Sequence, residues 1–88
     1  MILVRLRTHA LGNRNIVGAR VALTRKRLGM KQKELLAQLQ INEVDINASA
    51  LSKLEGQVRS VLDYELKTLA NILGVSVDWL LGGVFPEE

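Results

Sequence analysis

Residues 31–56 read KQKELLAQLQINEVDINASALSKLEG and contain two short helical patterns joined by a connector. The first pattern places Leu35 and Leu39 four residues apart, and Leu36 widens the same apolar face. It predicts an amphipathic helix over residues 31 to about 40.

The second pattern begins at Asn47 and consists mostly of small side chains. Asparagine is a good N-cap and Gly56 is a typical stop signal, so a helix is expected over residues 47–55. Leu51 and Leu54 give this helix an inward face. Its small residues either serve close packing or leave room for a large partner.

An earlier pattern, over residues 16–28, predicts a helix that precedes these two. One helical stripe contains Val17, Val21, either Thr24 or Arg25, and Leu28. Asn15 is available as the N-cap of this helix.

Two more helical patterns follow towards the end of the chain. Residues 63–73 carry leucines at helical spacing and stop before Gly74, and Ser76 caps a short pattern over residues 77–81. Only ILVRLR, near the start of the chain, has the alternation expected of a strand. We therefore predict an all-α fold of five short helices.

The two ends of the chain lie outside this helical pattern. Residues 1–14 are expected to form an N-terminal arm that is flexible, exchanged as a strand between subunits, or laid on a partner. Residues 15–83 form the predicted domain and residues 84–88 a tail. A dimer contact is expected where the last helix meets the tail, at Trp79, Leu81, Val84 and Phe85.

Positive charge is concentrated in the first part of the chain. Residues 1–33 contain nine Lys/Arg and no Asp/Glu, whereas residues 34–88 contain three Lys/Arg and nine Asp/Glu, so the two parts carry +9 and −6. Clustered cations favour a polyanionic partner, because they displace counterions from phosphates. The competing interpretation is that these cations solvate a helix face and the arm.

Composition excludes several classes of site. The chain has no cysteine, which rules out disulfides and thiolate metal ligands and fits a reducing cytosol, so a cytoplasmic location is expected. Its apolar runs fall far short of the ~20 residues needed to cross a bilayer. The one histidine, His9, lies in the arm, and no carboxylate cluster or phosphate-binding glycine loop occurs. We expect no enzymatic activity, cofactor, metal or small-molecule substrate.

Three segments resemble a known family of DNA-binding domains. Residues 29–39 (GMKQKELLAQL), 46–59 (INASALSKLEGQVR) and 69–83 (LANILGVSVDWLLGG) are similar, in this order, to segments of the lambda-repressor-like (Cro and XRE) helix-turn-helix family. The resemblance covers residues 15–83. It implies a homodimeric, repressor-like transcriptional regulator that binds double-stranded DNA sequence-specifically and places residues 47–55, the recognition helix, in the major groove.

The resemblance and the helical spacing together predict which residues of the recognition helix contact bases. Leu51 and Leu54 match buried positions of the family, which turns the other side chains outward. Lysine can donate to guanine, and serine or asparagine can bond several base edges. The expected base contacts are Asn47, Ala48, Ser49, Ser52 and Lys53.

A second group of residues is expected to hold the DNA backbone. Gln32 matches the family position that opens the second helix, where N–H groups and partial positive charge favour a phosphate. The expected phosphate contacts are Lys31, Gln32, Lys33, Gln57 and Arg59. Arg25 and Glu55 resemble a pair that supports the recognition helix from the first helix; the alternative is that Arg25 is a free phosphate ligand.

The sequence departs from the family pattern at three places. Residues 40–46, QINEVDI, stand where the family commonly has a much shorter turn, so a longer second helix and a wider elbow are expected. Leu62 replaces a capping threonine, which leaves Asp63, alone or with Ser60, as the expected cap of the fourth helix. The loop EGQVR lacks one cation of the commoner pattern.

A second function class stays open beside DNA binding. A recognition surface built around Ala48 and Ser49 offers little base discrimination. The same surface would suit a protein-interaction module, such as the antitoxin of a pair or a helix-turn-helix domain that has lost DNA contact.

Overall fold

The computed structural model describes residues 13–83, and this part of the chain folds into five helices. They are α1 (Gly18–Arg27), α2 (Gln32–Ile41), α3 (Ala48–Glu55), α4 (Asp63–Leu73) and α5 (Val77–Leu80). No strand occurs within residues 13–83. The all-α prediction is confirmed, while the expectations for most of the arm and for the tail, including Val84 and Phe85, fall on residues outside this range.

The helices pack around one apolar core. α1 and α2 each contact both α3 and α4, and α5 packs on α4. The apolar faces predicted for α2 and α3 are buried, and Trp79 lies in the core. The buried apolar residues are Val17, Val21, Leu35, Leu39, Val44, Ile46, Leu51, Leu54, Leu69, Ala70, Leu73, Trp79 and Leu80.

Local capping fixes where three of the helices begin. The Asn47 Oδ1 accepts a hydrogen bond from the Ala50 N–H at 2.8 Å, and the Ser76 Oγ accepts one from the Trp79 N–H at 2.9 Å. Asn15 lies ahead of α1, and its Oδ1 accepts from the backbone N–H of Val17 and Gly18. The caps predicted at Asn47 and Ser76 are confirmed, whereas Val17, and not the predicted Asn15, occupies the N-cap position of α1.

The prediction that Leu28 belongs to the inward stripe of α1 is wrong. Leu28 follows the last residue of the helix and its side chain is 54% exposed. The chain leaves α1 through Gly29, whose φ of +69° turns it away from the helical path. The prediction of Thr24 or Arg25 on this stripe is confirmed, because both residues are buried.

The cap predicted for the fourth helix is also wrong. α4 starts at Asp63, and the carboxylate of Glu65 accepts the Leu62 N–H at 2.9 Å. Glu65 sits at the third helical position, from which a glutamate side chain can reach back to the residue before the helix. The capping carboxylate therefore comes from inside the helix.

The connector between α2 and α3, residues 42–47, is called the elbow here. α2 ends at Ile41, and Glu43 follows in the left-handed region with φ +66°. The Glu43 N–H donates to the Gln40 C=O at 3.0 Å and the Val44 N–H to the Leu39 C=O at 2.9 Å. This is the Schellman arrangement of a helix C-terminus.

Two elbow residues enter the core, which explains how the fold accommodates the longer connector. Val44 and Ile46 are both buried, and the Gln40 side chain donates to the Ile46 C=O at 3.0 Å. The extra residues therefore add apolar contacts between α2 and α3 and do not form an open loop.

Candidate functional site

The outward face of α3 carries every residue that the sequence predicts as a base contact. Leu51 and Leu54 are buried, so helical geometry turns the side chains on the opposite face of α3 outward. The predicted set of Asn47, Ala48, Ser49, Ser52 and Lys53 is exposed throughout. This surface is flat and polar, with one long cationic side chain at Lys53.

The α3 face continues onto the start of α2 through a shallow groove. The groove has a volume of about 270 Å³ and is lined by Gln32, Lys33, Leu36, Ala48 and Leu51. It therefore joins one predicted base contact to two predicted phosphate contacts.

The N-terminus of α2 presents both signs of charge. Lys31 and Lys33 are exposed there, and the first N–H groups of a helix have no intrahelical acceptor. The Glu34 carboxylate accepts the Lys31 N–H at 2.7 Å, which offsets part of this positive charge. The backbone N–H groups of Gln32 and Lys33 open the helix and point along its axis, out of its N-terminal end.

A buried ion pair joins α1 to the end of α3. The Arg25 Nε donates to Glu55 Oε2 at 2.7 Å, and a second guanidinium nitrogen donates to Oε1 at 3.1 Å. A third nitrogen donates to the Met30 C=O at 2.8 Å. Arg25 is thus enclosed by protein acceptors, and the pair fixes the angle between α1 and α3.

Gln32 takes part in the same network. Its Nε2 donates to Glu55 Oε1 at 3.0 Å, so the side chain that opens α2 is tied to the last residue of α3. The Gln32 Nε2 carries two hydrogens, so the bond to Glu55 leaves the second one able to donate to a phosphate, beside the backbone N–H groups of α2.

The loop after α3 holds two of the predicted phosphate contacts inside the protein. Gln57 has φ +63° and is 8% exposed, and its Nε2 donates to the Asn15 C=O at 2.9 Å. Arg59 donates to both Glu65 carboxylate oxygens at 3.1 Å and keeps 26% of its side chain exposed. Gln57 is therefore engaged inside the protein, whereas the bidentate bond of Arg59 uses two of its five N–H groups and leaves the others for a ligand on its exposed side.

Asn15 has a larger role than the cap that the sequence predicts. Its Nδ2 donates to the Leu54 C=O at 3.1 Å and to the Arg59 C=O at 2.8 Å, so it also joins the end of α3 and the following loop. The Arg14 N–H adds a bond to the Gln57 C=O at 2.8 Å. Sequence spacing carries no signal for these bonds, because the partners lie about forty residues away.

The partners of Arg20 are shown by the structure and were not predicted from the sequence. Its guanidinium stacks 4.6 Å above the centre of the Trp79 ring and donates to the C=O groups of Trp79 and Gly83 at 2.6 Å. It holds the end of α5 against α1. By contrast, Lys26, Lys31, Lys33, Lys53 and Lys67 are all exposed.

Two further classes of site were sought in the part of the chain that the structure describes. No group of three or more His, Cys, Asp or Glu side chains within residues 13–83 is placed to hold a metal ion. None of the helices in the same range is long and apolar enough to cross a bilayer.

Comparisons with known proteins identify no relative. The chain matches no protein-family model, no curated protein and no solved structure.

Proposed function

We propose that the chain binds double-stranded DNA sequence-specifically as a repressor-like transcriptional regulator of the lambda-repressor-like type. In this proposal α2 and α3 are the helix-turn-helix pair, and α3 is the recognition helix that enters the major groove. Binding uses no cofactor and involves no catalysis. A homodimer binds two half-sites about one DNA turn, or a multiple of it, apart.

The observation that carries this proposal is the groove shared by α2 and α3. It brings Ala48, on the base-reading face, beside Lys33 and the opening N–H groups of α2. A helix lying in the major groove runs close to the sugar-phosphate backbone. The cationic N-terminus of a neighbouring helix is then placed to bind a phosphate. Small residues on α3 permit the close approach of its backbone to the bases.

The roles within the proposed interface are divided by what each side chain can donate or accept. Asn47 uses its Oδ1 to cap α3, which leaves the Nδ2 group to donate to a base. Ser52 and Lys53 add further donors on the same face. Lys31 and Lys33, with the N–H groups of α2, take the phosphate. Arg25 and Glu55 set the helix angle and contact no DNA.

A mobility-shift assay at several salt concentrations tests the proposal on random duplexes and on duplexes selected from a random pool. The expected result is binding whose affinity falls steeply with salt, because phosphate contacts release counterions. Absence of binding at low salt would reject the proposal and favour the protein-interaction module, which the small side chains of α3 also suit.

Single lysine variants separate the two parts of the interface. Lys33→Ala is expected to weaken binding to all duplexes alike and to lower the salt slope by about one. Lys53→Ala is expected to reduce the preference for selected over random duplexes by about tenfold. Lys67→Ala, an exposed lysine on α4, is the matched control and should change neither value. Equal losses on all duplexes from Lys53→Ala would make it a phosphate ligand only.

A further inference from the structure

The elbow places an acidic side chain next to the proposed base-reading face. Burial alternates along its last four residues: Val44 and Ile46 are buried, whereas Asp45 and Asn47 are exposed. In extended chain, residues two apart lie on the same side. Asp45 therefore lies on the outer side of the elbow together with Asn47, the first of the predicted base contacts.

The position of Asp45 is held by its neighbours in the chain. Val44 and Ile46 are anchored in the core on either side, the Val44 N–H bonds the Leu39 C=O, and the Ile46 C=O accepts from the Gln40 side chain. A side chain between two anchored residues has a restricted range of positions. The backbone of Asp45 is thus held at the surface of the elbow, two residues before Asn47.

We propose that Asp45 is a specificity-determining residue that accepts a hydrogen bond from the exocyclic N4 amino group of a cytosine in the major groove. This inference rests on the proposed function. An ionised carboxylate is an acceptor only, so it favours cytosine, whose amino group is the one polar group on its major-groove edge, over guanine and thymine, which present acceptors, and over adenine, whose N7 acceptor lies beside its amino group. It supplies a selectivity that Ala48 and Ser49 cannot.

The carboxylate also has an effect that is independent of sequence. Asp45 lies near any phosphate that approaches α3, and like charges repel, so the side chain lowers affinity for every duplex. A neutral replacement therefore separates the two effects. Loss of repulsion raises the affinity for every duplex by the same factor. Loss of a base contact instead changes the base preference at one position of each half-site.

The experiment compares wild type, Asp45→Ala and Glu43→Ala in selection from a random duplex pool with sequencing, followed by affinity measurements. Glu43 is an exposed elbow carboxylate in the preceding turn and serves as the charge-matched control. Wild type and Glu43→Ala should select cytosine at one position per half-site. Asp45→Ala should lose that preference by about tenfold while it keeps the preferences at other positions.

The outcomes distinguish this inference from the proposed function. If wild type binds selected duplexes and Asp45→Ala keeps the same preference at every position, the inference is overturned, even where affinity rises on all duplexes. If wild type binds no duplex, the proposed function fails first and the inference falls with it. Circular dichroism should show that each variant stays folded, because both carboxylates are exposed.

Discussion

Replacing Arg25 with methionine would leave the Glu55 carboxylate buried without its cation. Glu55 accepts two hydrogen bonds from Arg25 and one from Gln32, and its side chain is 7% exposed. Methionine fills similar space and donates nothing. The remaining bond from Gln32 is neutral and cannot balance a full negative charge at this depth.

The magnitude follows from what each variant leaves behind. Removal of one partner of a buried pair destabilises by about 3–5 kcal/mol, and the Gln32 bond puts Arg25→Met near the lower figure, about 3 kcal/mol. In a chain of this size that loss corresponds to a fall in Tm of about 15 °C. Glu55→Gln keeps an amide oxygen that accepts from Arg25, and Arg25 also retains its bond to the Met30 C=O. The expected loss in the free energy of unfolding is therefore smaller, about 2 kcal/mol.

The assay is a double-mutant cycle in which circular dichroism monitors thermal and urea unfolding of each variant. The double variant Arg25→Met with Glu55→Gln contains neither buried charge, so its loss should fall about 2 kcal/mol short of the sum of the single losses. Lys26→Met, an exposed neighbour on α1, is the control and should stay within about 0.5 kcal/mol of wild type. Additive losses, or an Arg25→Met variant as stable as the control, would refute the reasoning.

Two further predictions concern the backbone, one at a close helix contact and one at a residue with positive φ. A Cβ on Gly18 would overlap the Leu54 C=O and come within 3.0 Å of the Glu55 C=O, so Gly18→Ala should destabilise the fold by about 3 kcal/mol in urea unfolding. Gly56→Ala, whose φ is −81° and whose Cβ would lie 3.3 Å from the nearest carbonyl oxygen, should lose much less; equal losses would contradict the packing argument. Glu43→Gly should stabilise the protein by about 0.5–1 kcal/mol, because glycine adopts φ +66° without strain, and a measured loss would show that the Glu43 side chain matters more than its backbone.

Most of the helical framework could be predicted from sequence because its signals are local. Apolar spacing marked the inward face of α3, and the caps at Asn47 and Ser76 marked two helix starts. The burial of Val44 and Ile46 was missed, although the alternation within VDIN is itself a local signal. Leu28 was placed wrongly because the apolar spacing continues one residue past Arg27, the last residue of α1.

Less of the candidate site could be predicted, because charge and polarity alone do not show which side chains are already engaged. Gln57 and Arg59 are predicted from the sequence as phosphate contacts and Arg20 has no predicted partner, yet each bonds acceptors of the protein itself. The partners of Arg20 and Gln57 lie far along the chain. Arg59 lies only six residues from Glu65, a spacing too common for the sequence alone to indicate a pair.

The sequence by itself determined where the helices lie, which leucines face inward, and that the outward face of α3 is small and polar. These properties depend on neighbours within a few residues, so spacing and capping are enough to specify them. Only the tertiary structure decided which cations stay exposed and that Asn15 and Glu55 join three segments each. Each of these depends on how the helices pack against one another, because burial and long-range hydrogen bonds exist only once the core has formed.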